Sequence, residues 1–374
     1  MRHIQDMRVR DPFILTDKEK GCYYLIASDR LARTDGRPGE GVDYLRSEDL
    51  IHFEEPKAAF RPDANFFSPH QFWAPEVHAY KGRYYLFVTT WGRWGEEPID
   101  TDVLSEGEIR GTQIFVADEM TGPYRAWSHG PVTPRKDLTL DGTLYVAPDG
   151  EPYMIYCHEW RQIIDGKIVA LPLTEDLRAA AGEPVTLFKG SDAPWATGDF
   201  VETYENTPYH KVIYVTDGPF LFNDLSGGLC MLWSTGGEGI YTTGISRSPS
   251  GNVLGPWEQS EQALFTGDGG HAMLFHTLQG QLMLALHQPN GAPDERLAAP
   301  IPGPADGDRA GAGACTCARI REEETARPRR GNGKGRHAHT GVFSWGPWKA
   351  RGCAKEPGII QMHIKREEGV ILSA

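Results

Sequence analysis

The chain has 374 residues, 40% of them hydrophobic and 24% charged, with a formal net charge of −13 at pH 7. That length holds one large domain or two ordinary ones with ample core, and the composition is that of a globular protein. The acidic balance argues against a nucleic-acid or anionic-membrane partner, and no run approaches the 18 apolar residues of a membrane span. Residues 1–6 lack the apolar stretch of a signal peptide, so a cytoplasmic location is expected. The six cysteines follow no disulfide-like spacing, and nothing in the sequence sets the oligomeric state.

Taken in order, the chain opens with Val9-Arg10-Asp11-Pro12-Phe13-Ile14-Leu15. Proline fixes its own φ and restricts the residue before it, so Asp11 is expected to be extended, with its carboxylate presented at the mouth of the strand that follows. An isolated Asp-Pro is an ordinary turn former. Here it heads a series of short apolar strands. The first unit is predicted over residues 13–15, 21–27 and 43–50, and the second over 73–78, 82–88 and 113–117. A third spans 140–146, 150–156 and 167–170, and a fourth 215–222, 228–233 and 241–246. A fifth has only two clear strands, 269–275 and 280–287. The best helical candidate before residue 290 is the short stretch 177–182. Units of roughly 50 residues built from four short strands are the signature of propeller blades. The fold expected is therefore all-β, a five-bladed β-propeller over residues 1–290 with an irregular C-terminal tail over 291–374.

That tail carries 14 Lys and Arg against 10 Asp and Glu and has few strand-forming residues, so it is expected to be disordered and to leave the fifth blade incomplete. Within it, Cys315, Cys317, His337 and His339 have zinc-ligand chemistry, but their spacing fits no standard finger. The basic run from Arg327 to Arg336 reads as a solvated segment.

Three blade heads carry an aspartate in a comparable place: Asp11, Asp141 and Asp217. In a propeller the head strands line the axis, so these acids converge at one end of it. Carboxylates crowded in a cleft push their pKa values apart, which lets one act as a base while another keeps a proton. Each Asp-Gly pair alone reads as a turn. The joint pattern is the functional signal.

Arg10-Asp11-Pro12-Phe13, Trp73-Ala74-Pro75-Glu76-Val77, Asp141-Gly142-Thr143-Leu144, Asp217-Gly218-Pro219-Phe220-Leu221 and the Gly-Gly-His ending at His271 together resemble glycoside hydrolase family 43, over residues 7 to about 290. The resemblance implies a five-bladed propeller glycosidase of the α-L-arabinofuranosidase or β-xylosidase type. It implies an inverting mechanism releasing arabinofuranosyl or xylosyl units from plant-derived oligosaccharides. Asp11 would be the general base, Asp141 would orient the acid and tune its pKa, and Asp217 would be the general acid. The family pattern has Glu at this last position, one methylene longer, and Glu202 is the spare acid. The substrate-binding residues expected are Trp73, Glu76, Trp91 and His271, with Trp94 and Trp195 as further stacking surfaces and Glu76 reaching sugar hydroxyls or arginines at the mouth. No cofactor is required and no metal-binding residues are assigned. A structural Ca²⁺ on the axis near His271 is the one ion the resemblance allows. A carbohydrate-binding propeller with impaired catalysis, or a structural interaction propeller, are the alternatives.

Overall fold

A computed structural model describes residues 1–28, 40–93, 108–201, 211–224 and 226–290, with three short strands beyond them given by backbone alone. The strands form five main sheets, antiparallel except where Gln361–Met362 runs parallel to Cys317–Ile320, and one two-stranded ribbon, Asp199–Val201 with Lys211–Ile213. The first sheet runs from Phe13–Asp17 through Cys22–Ser28 to Val42–Ser47, which pairs with both His52–Phe53 and Lys57–Phe60. The second is Phe72–Tyr80, Arg83–Arg93, Glu108–Ala117 and Arg125–Pro131. The third is Thr139–Val146, Pro152–His158, Lys167–Pro172 and Val185–Lys189. The fourth is Asp217–Asp224, Leu229–Gly237, Ile240–Ser248 and Glu258–Gln259. The fifth begins with Gly270–His276 and Leu282–His287, and Cys317–Ile320 and Gln361–Met362 continue it.

The first strand of each sheet packs against the first strand of the next, and the fifth returns to the first. This makes a ring of inner strands around an axis, as expected of a propeller. Closure is stitched by Thr16 Oγ1, which donates to the carbonyl of His276 (2.5 Å), and by Tyr23, whose hydroxyl accepts from the Leu278 N–H (2.9 Å).

Second strands read as unbroken apolar runs for a physical reason. A blade is flanked by neighbours on both faces, so both sets of alternating side chains must be buried. Cys22 to Ala27 and Leu229 to Gly237 are buried throughout. Alternation then decides which neighbour each residue meets. Leu86 and Val88 join Phe115 in a cluster shared with the first blade, whereas Tyr85 and Phe87 join Met154 and Tyr156 of the third. Leu229, Met231 and Trp233 likewise face the third blade, and Cys230 and Leu232 the fifth. The core is thus a set of wedges between blades.

Several sequence expectations need adjustment. The stretch 177–182 is not helical: Thr174 Oγ1 accepts from the Arg178 and Ala179 N–H groups, closing a turn bridged by Leu173 and Ala180. The described α-helix is the single turn Trp160–Ile163. Val185–Lys189 and Cys317–Ile320 were not anticipated, whereas Gln361–Met362 falls within residues 358–364, a stretch of the tail that is strand-like in sequence. Apart from Cys317–Ile320, Gln361–Met362 and Leu372–Ser373, residues 291–374 lie outside the described residues, as do the His337–His339 pair and the basic run. No helix among the described residues is long and apolar enough to cross a membrane.

Phe115 is fully buried where the first two blades meet, with its ring 4.5 Å from that of Phe60. Phe115→Ala removes a ring packed between those of Phe60 and Phe66. We expect a loss of about 3–5 kcal/mol of stability, measured by chemical denaturation.

Candidate active site

Each inner strand is kinked at its head by one residue in the left-handed region: Asp11 (φ 51°), Ala74 (φ 45°), Asp141 (φ 57°), Gly218 (φ 52°) and His271 (φ 52°). In four of the five blades the pairing register breaks at this point, between Trp73 and Glu76, Leu140 and Thr143, Asp217 and Phe220, and Gly270 and Met273. A bulge of this kind re-aims a side chain that regular pleating would send into the blade interface. Asp11 is therefore not extended, contrary to the expectation from Pro12. Aspartate tolerates the left-handed region better than most residues. Here its N–H is also held by His287 Nδ1 (3.3 Å) and its carboxylate by His271.

The kinks bring four of the sequence-predicted residues together. His271 Nδ1 lies 3.1 Å from Asp11 Oδ1 and 3.5 Å from Asp141 Oδ2. Asp141 Oδ2 accepts the Gly218 N–H (3.1 Å), which ties it to the residue following Asp217. The Asp141 and Gly142 N–H groups are held in turn by Thr89 Oγ1 (2.9 Å) and Thr112 Oγ1 (3.0 Å) from the second blade. Asp217 Oδ2 accepts from the Tyr241 hydroxyl (2.9 Å). Asp11 and Asp217 stand at the heads of inner strands that are not neighbours in the ring.

The charges in this cluster separate cleanly. Burial disfavours an imidazolium at His271, but the carboxylates of Asp11 and then Asp141 outweigh it and raise the ring to about 10. For Asp11, burial pushes the carboxyl up, while His271, Arg10 and His287 together hold it well below the usual range, so it stays ionised. Asp141 goes the other way, to about 7, because burial and the nearby charges of Asp217 and Asp11 outweigh His271 and the Gly218 N–H. Asp217 is raised by burial and by Asp11, against Arg10, His271 and the Tyr241 hydroxyl. Burial also lowers His287 to about 4. A neutral His287 accepts from the Asp11 N–H at Nδ1 and donates from Nε2 to Asn290 Oδ1 (3.2 Å). The 3.4 Å approach of its Nδ1 to Asp11 Oδ1 is therefore a contact rather than an ion pair.

The side chains around His271 do not fit a directly ligated Ca²⁺. That ion takes six to eight oxygens. Here the side chains within reach of His271 offer only the carboxylates of Asp11 and Asp141, so an ion on the axis would take most of its ligands from water. Among the described residues, no group of three or more His, Cys, Asp or Glu side chains has metal-binding geometry.

A wall of the mouth is formed by one face of the second blade. Thr89 pairs with Thr112, and one rung farther out Trp91 pairs with Arg110. The Arg110 guanidinium lies 5.4 Å from the Trp73 ring and 5.2 Å from the Trp91 ring, and the two indoles meet edge to face at 5.5 Å. Arg110 is 1% exposed and is paired with Glu159 at the end of a third-blade strand. Trp73 and Trp91 remain partly exposed, as a sugar-stacking surface requires.

Glu76 is placed differently from the expectation. It lies two residues beyond the kink at Ala74, is buried, and sits with Oε2 2.9 Å from His78 Nε2. His78 lines a cavity of about 300 Å³ farther along the axis, walled also by Phe13, Thr143, Phe220 and Met273. Trp195 is a packing residue, its ring 5.0 Å from Trp233 and pressed against Gly244. Trp94 and Glu202 lie outside the described residues. Arg110, Glu159, Tyr241 and His287 were missed by sequence reasoning. The one local clue was His287 closing an otherwise apolar strand.

A ring of inner strands with three aspartates and an imidazolium at one end of its axis defines a propeller glycosidase. The model of the family "Glycosyl hydrolases family 43" matches residues 3–302, and the chain belongs to that family. Among solved structures, the chain is similar to an endo-arabinase from Bacteroides thetaiotaomicron VPI-5482, with 36% identity, 82% of this chain and 98% of that one covered, and a TM-score of 0.68. A thermostable family-43 glycoside hydrolase (19% identity, 82% and 97% covered, TM-score 0.60) and an α-L-arabinofuranosidase from Lactobacillus brevis (20% identity, 79% and 92% covered, TM-score 0.56) share the fold. No curated protein matches the sequence.

The His271 ring should titrate near pH 10 by NMR. Asp11→Asn removes the negative charge that most favours the imidazolium, so the ring should then lose its proton at a lower pH. An unchanged titration would show that Asp11 is not its main partner.

Proposed function

We propose that this glycoside hydrolase cleaves arabinofuranosyl linkages with inversion, using Asp11 as general base and Asp217 as general acid. The observation that carries the reading is the convergence of Asp11, Asp141 and the Asp217-Gly218 kink around His271 at one end of the axis. There Asp11 is held ionised and Asp217 is pushed toward its protonated form. In an inverting enzyme a water must fit between the base and the anomeric carbon, which needs carboxyls roughly 6.5–9.5 Å apart. Placement on non-neighbouring inner strands supports that arrangement.

The chemistry follows from the side chains. Asp11 accepts a proton from the attacking water, and Asp217 delivers one to the departing glycosidic oxygen. Asp141 anchors the Gly218 N–H and thereby the strand segment carrying the acid. The repulsion between the two carboxyls, which raises Asp141, acts in return on Asp217 when Asp141 is ionised. The choice of arabinose over xylose rests on the endo-arabinase at 36% identity. The Trp73–Trp91 surface is suited to stack a flat sugar face beside the acids.

Incubation with arabinan oligosaccharides and with aryl α-L-arabinofuranosides tests the reading, with NMR following the first-formed anomer. The expected product has the inverted configuration, and Asp11→Asn or Asp217→Asn should each lower kcat by about 10²–10⁴-fold. Product of retained configuration, or sugar binding without turnover, would reject it. The pH profile gives an independent check. Asp141→Asn removes a negative neighbour, so Asp217 should ionise more readily and the alkaline limb of kcat should move to lower pH.

A further inference from the structure

Tyr241 is built into the site more tightly than core packing alone requires. It belongs to the third strand of the fourth blade, yet its ring lies 5.5 Å from that of His287 in the fifth, stacked at 18°. On one side Gly270 gives it room: a Cβ there would sit 2.3 Å from Tyr241 Cε1. The Tyr241 N–H donates to Asp268 Oδ1 (3.3 Å), and its carbonyl accepts from the Gly269 N–H (3.1 Å). Backbone and ring are thus fixed on both blades, with the hydroxyl 2.9 Å from Asp217 Oδ2. Burial and the adjacent carboxylate raise the phenol well above its usual range, so the group remains an O–H donor throughout the working pH range.

We propose that Tyr241 is a positioning residue for the general acid, holding Asp217 by Oδ2 so that Oδ1 carries the proton toward the leaving oxygen. This rests on the reading of Asp217 as the acid. An aspartate is one methylene shorter than the glutamate of the family pattern, so its proton must be aimed by rotation of a single short arm. The tether supplies that aim. In the reaction the Oδ1–H bond breaks as the proton passes to the glycosidic oxygen, and the C1–O bond breaks with its electron pair going to that oxygen. Water supplies the new bond to C1 and gives its proton to Asp11. Asp217 is left as a carboxylate, to which the Tyr241 O–H then makes a charge-assisted bond, stronger than the bond to the neutral acid.

Tyr241→Phe keeps the ring, and with it the stack on His287, so the circular dichroism spectrum should not change. An acid matters in proportion to how poor the leaving group is. The variant should lose about 10–10²-fold in kcat on arabinan oligosaccharides and about threefold or less on a dinitrophenyl arabinofuranoside, whose leaving group needs no proton. KM should change little. Equal losses on both substrates would reduce Tyr241 to a structural residue and overturn the proposal.

A second measurement does not depend on turnover. In protein carrying ¹³C-labelled aspartate, with Asp217→Asn identifying the resonance, the Asp217 carboxyl should titrate at higher pH in Tyr241→Phe, because a bond favouring the ionised form is gone. An unchanged titration removes the tether while leaving the glycosidase reading intact. A wild type that cleaves neither substrate class removes that reading, and Asp217 as acid with it.

Discussion

A buried cation holds the site together. Without the His271 imidazolium, three carboxyl groups would be packed at one end of the axis with little to offset their repulsion and desolvation, and folding would have to protonate more than one of them. With it, Asp11 can stay ionised in a place where burial alone would neutralise it, and the cost of crowding falls on Asp141 and Asp217. The same ring therefore sets the ionised Asp11 apart from the two carboxyls that are raised. Its position is fixed by steric closeness, because a Cβ at Gly218 would lie 2.7 Å from His271 Cγ. Only glycine at that point lets the fourth and fifth blades approach closely enough.

How far the sequence revealed this depends on whether the information was local. Asp11, Asp141 and Asp217 were legible because each heads a strand beside Gly or Pro, a signal contained within a few residues. The blade order was legible because doubly buried strands leave apolar runs between turns. Tyr241, His287 and Arg110 were not legible. They lie within or at the far ends of later strands, and they reach the acids only through closure of the ring and through which face alternation turns toward which neighbour. Glu76 shows the same limit in reverse. Its motif was visible, but the kink at Ala74 resets the alternation, and Glu76 meets His78 instead of the mouth. Asp11 itself was placed correctly with the wrong backbone, since the rule about residues before proline concerns local sterics, and tertiary bonds to His271 and His287 override it.

The Trp–Arg–Trp wall shows one blade face doing two structural jobs. Its inner rung, Thr89 and Thr112, fixes the backbone of Asp141 and Gly142, and the next rung, Trp91 and Arg110, forms the rim. A buried arginine paired with Glu159 costs desolvation. Its value lies in holding two indoles edge to face while leaving each partly open.

The five left-handed kinks also partition the molecule. Beyond each kink, alternation is dictated by wedges of side chains that tolerate little change in volume. At the kink, the strand is released from that constraint, and in three blades the kink residue itself, Asp11, Asp141 or His271, joins the cluster on the axis. Chemistry and packing are thus written in separate stretches of the same strands, joined by a single backbone residue. A propeller of this design can exchange the groups at its heads, and with them its substrate, without renegotiating the fit between its blades.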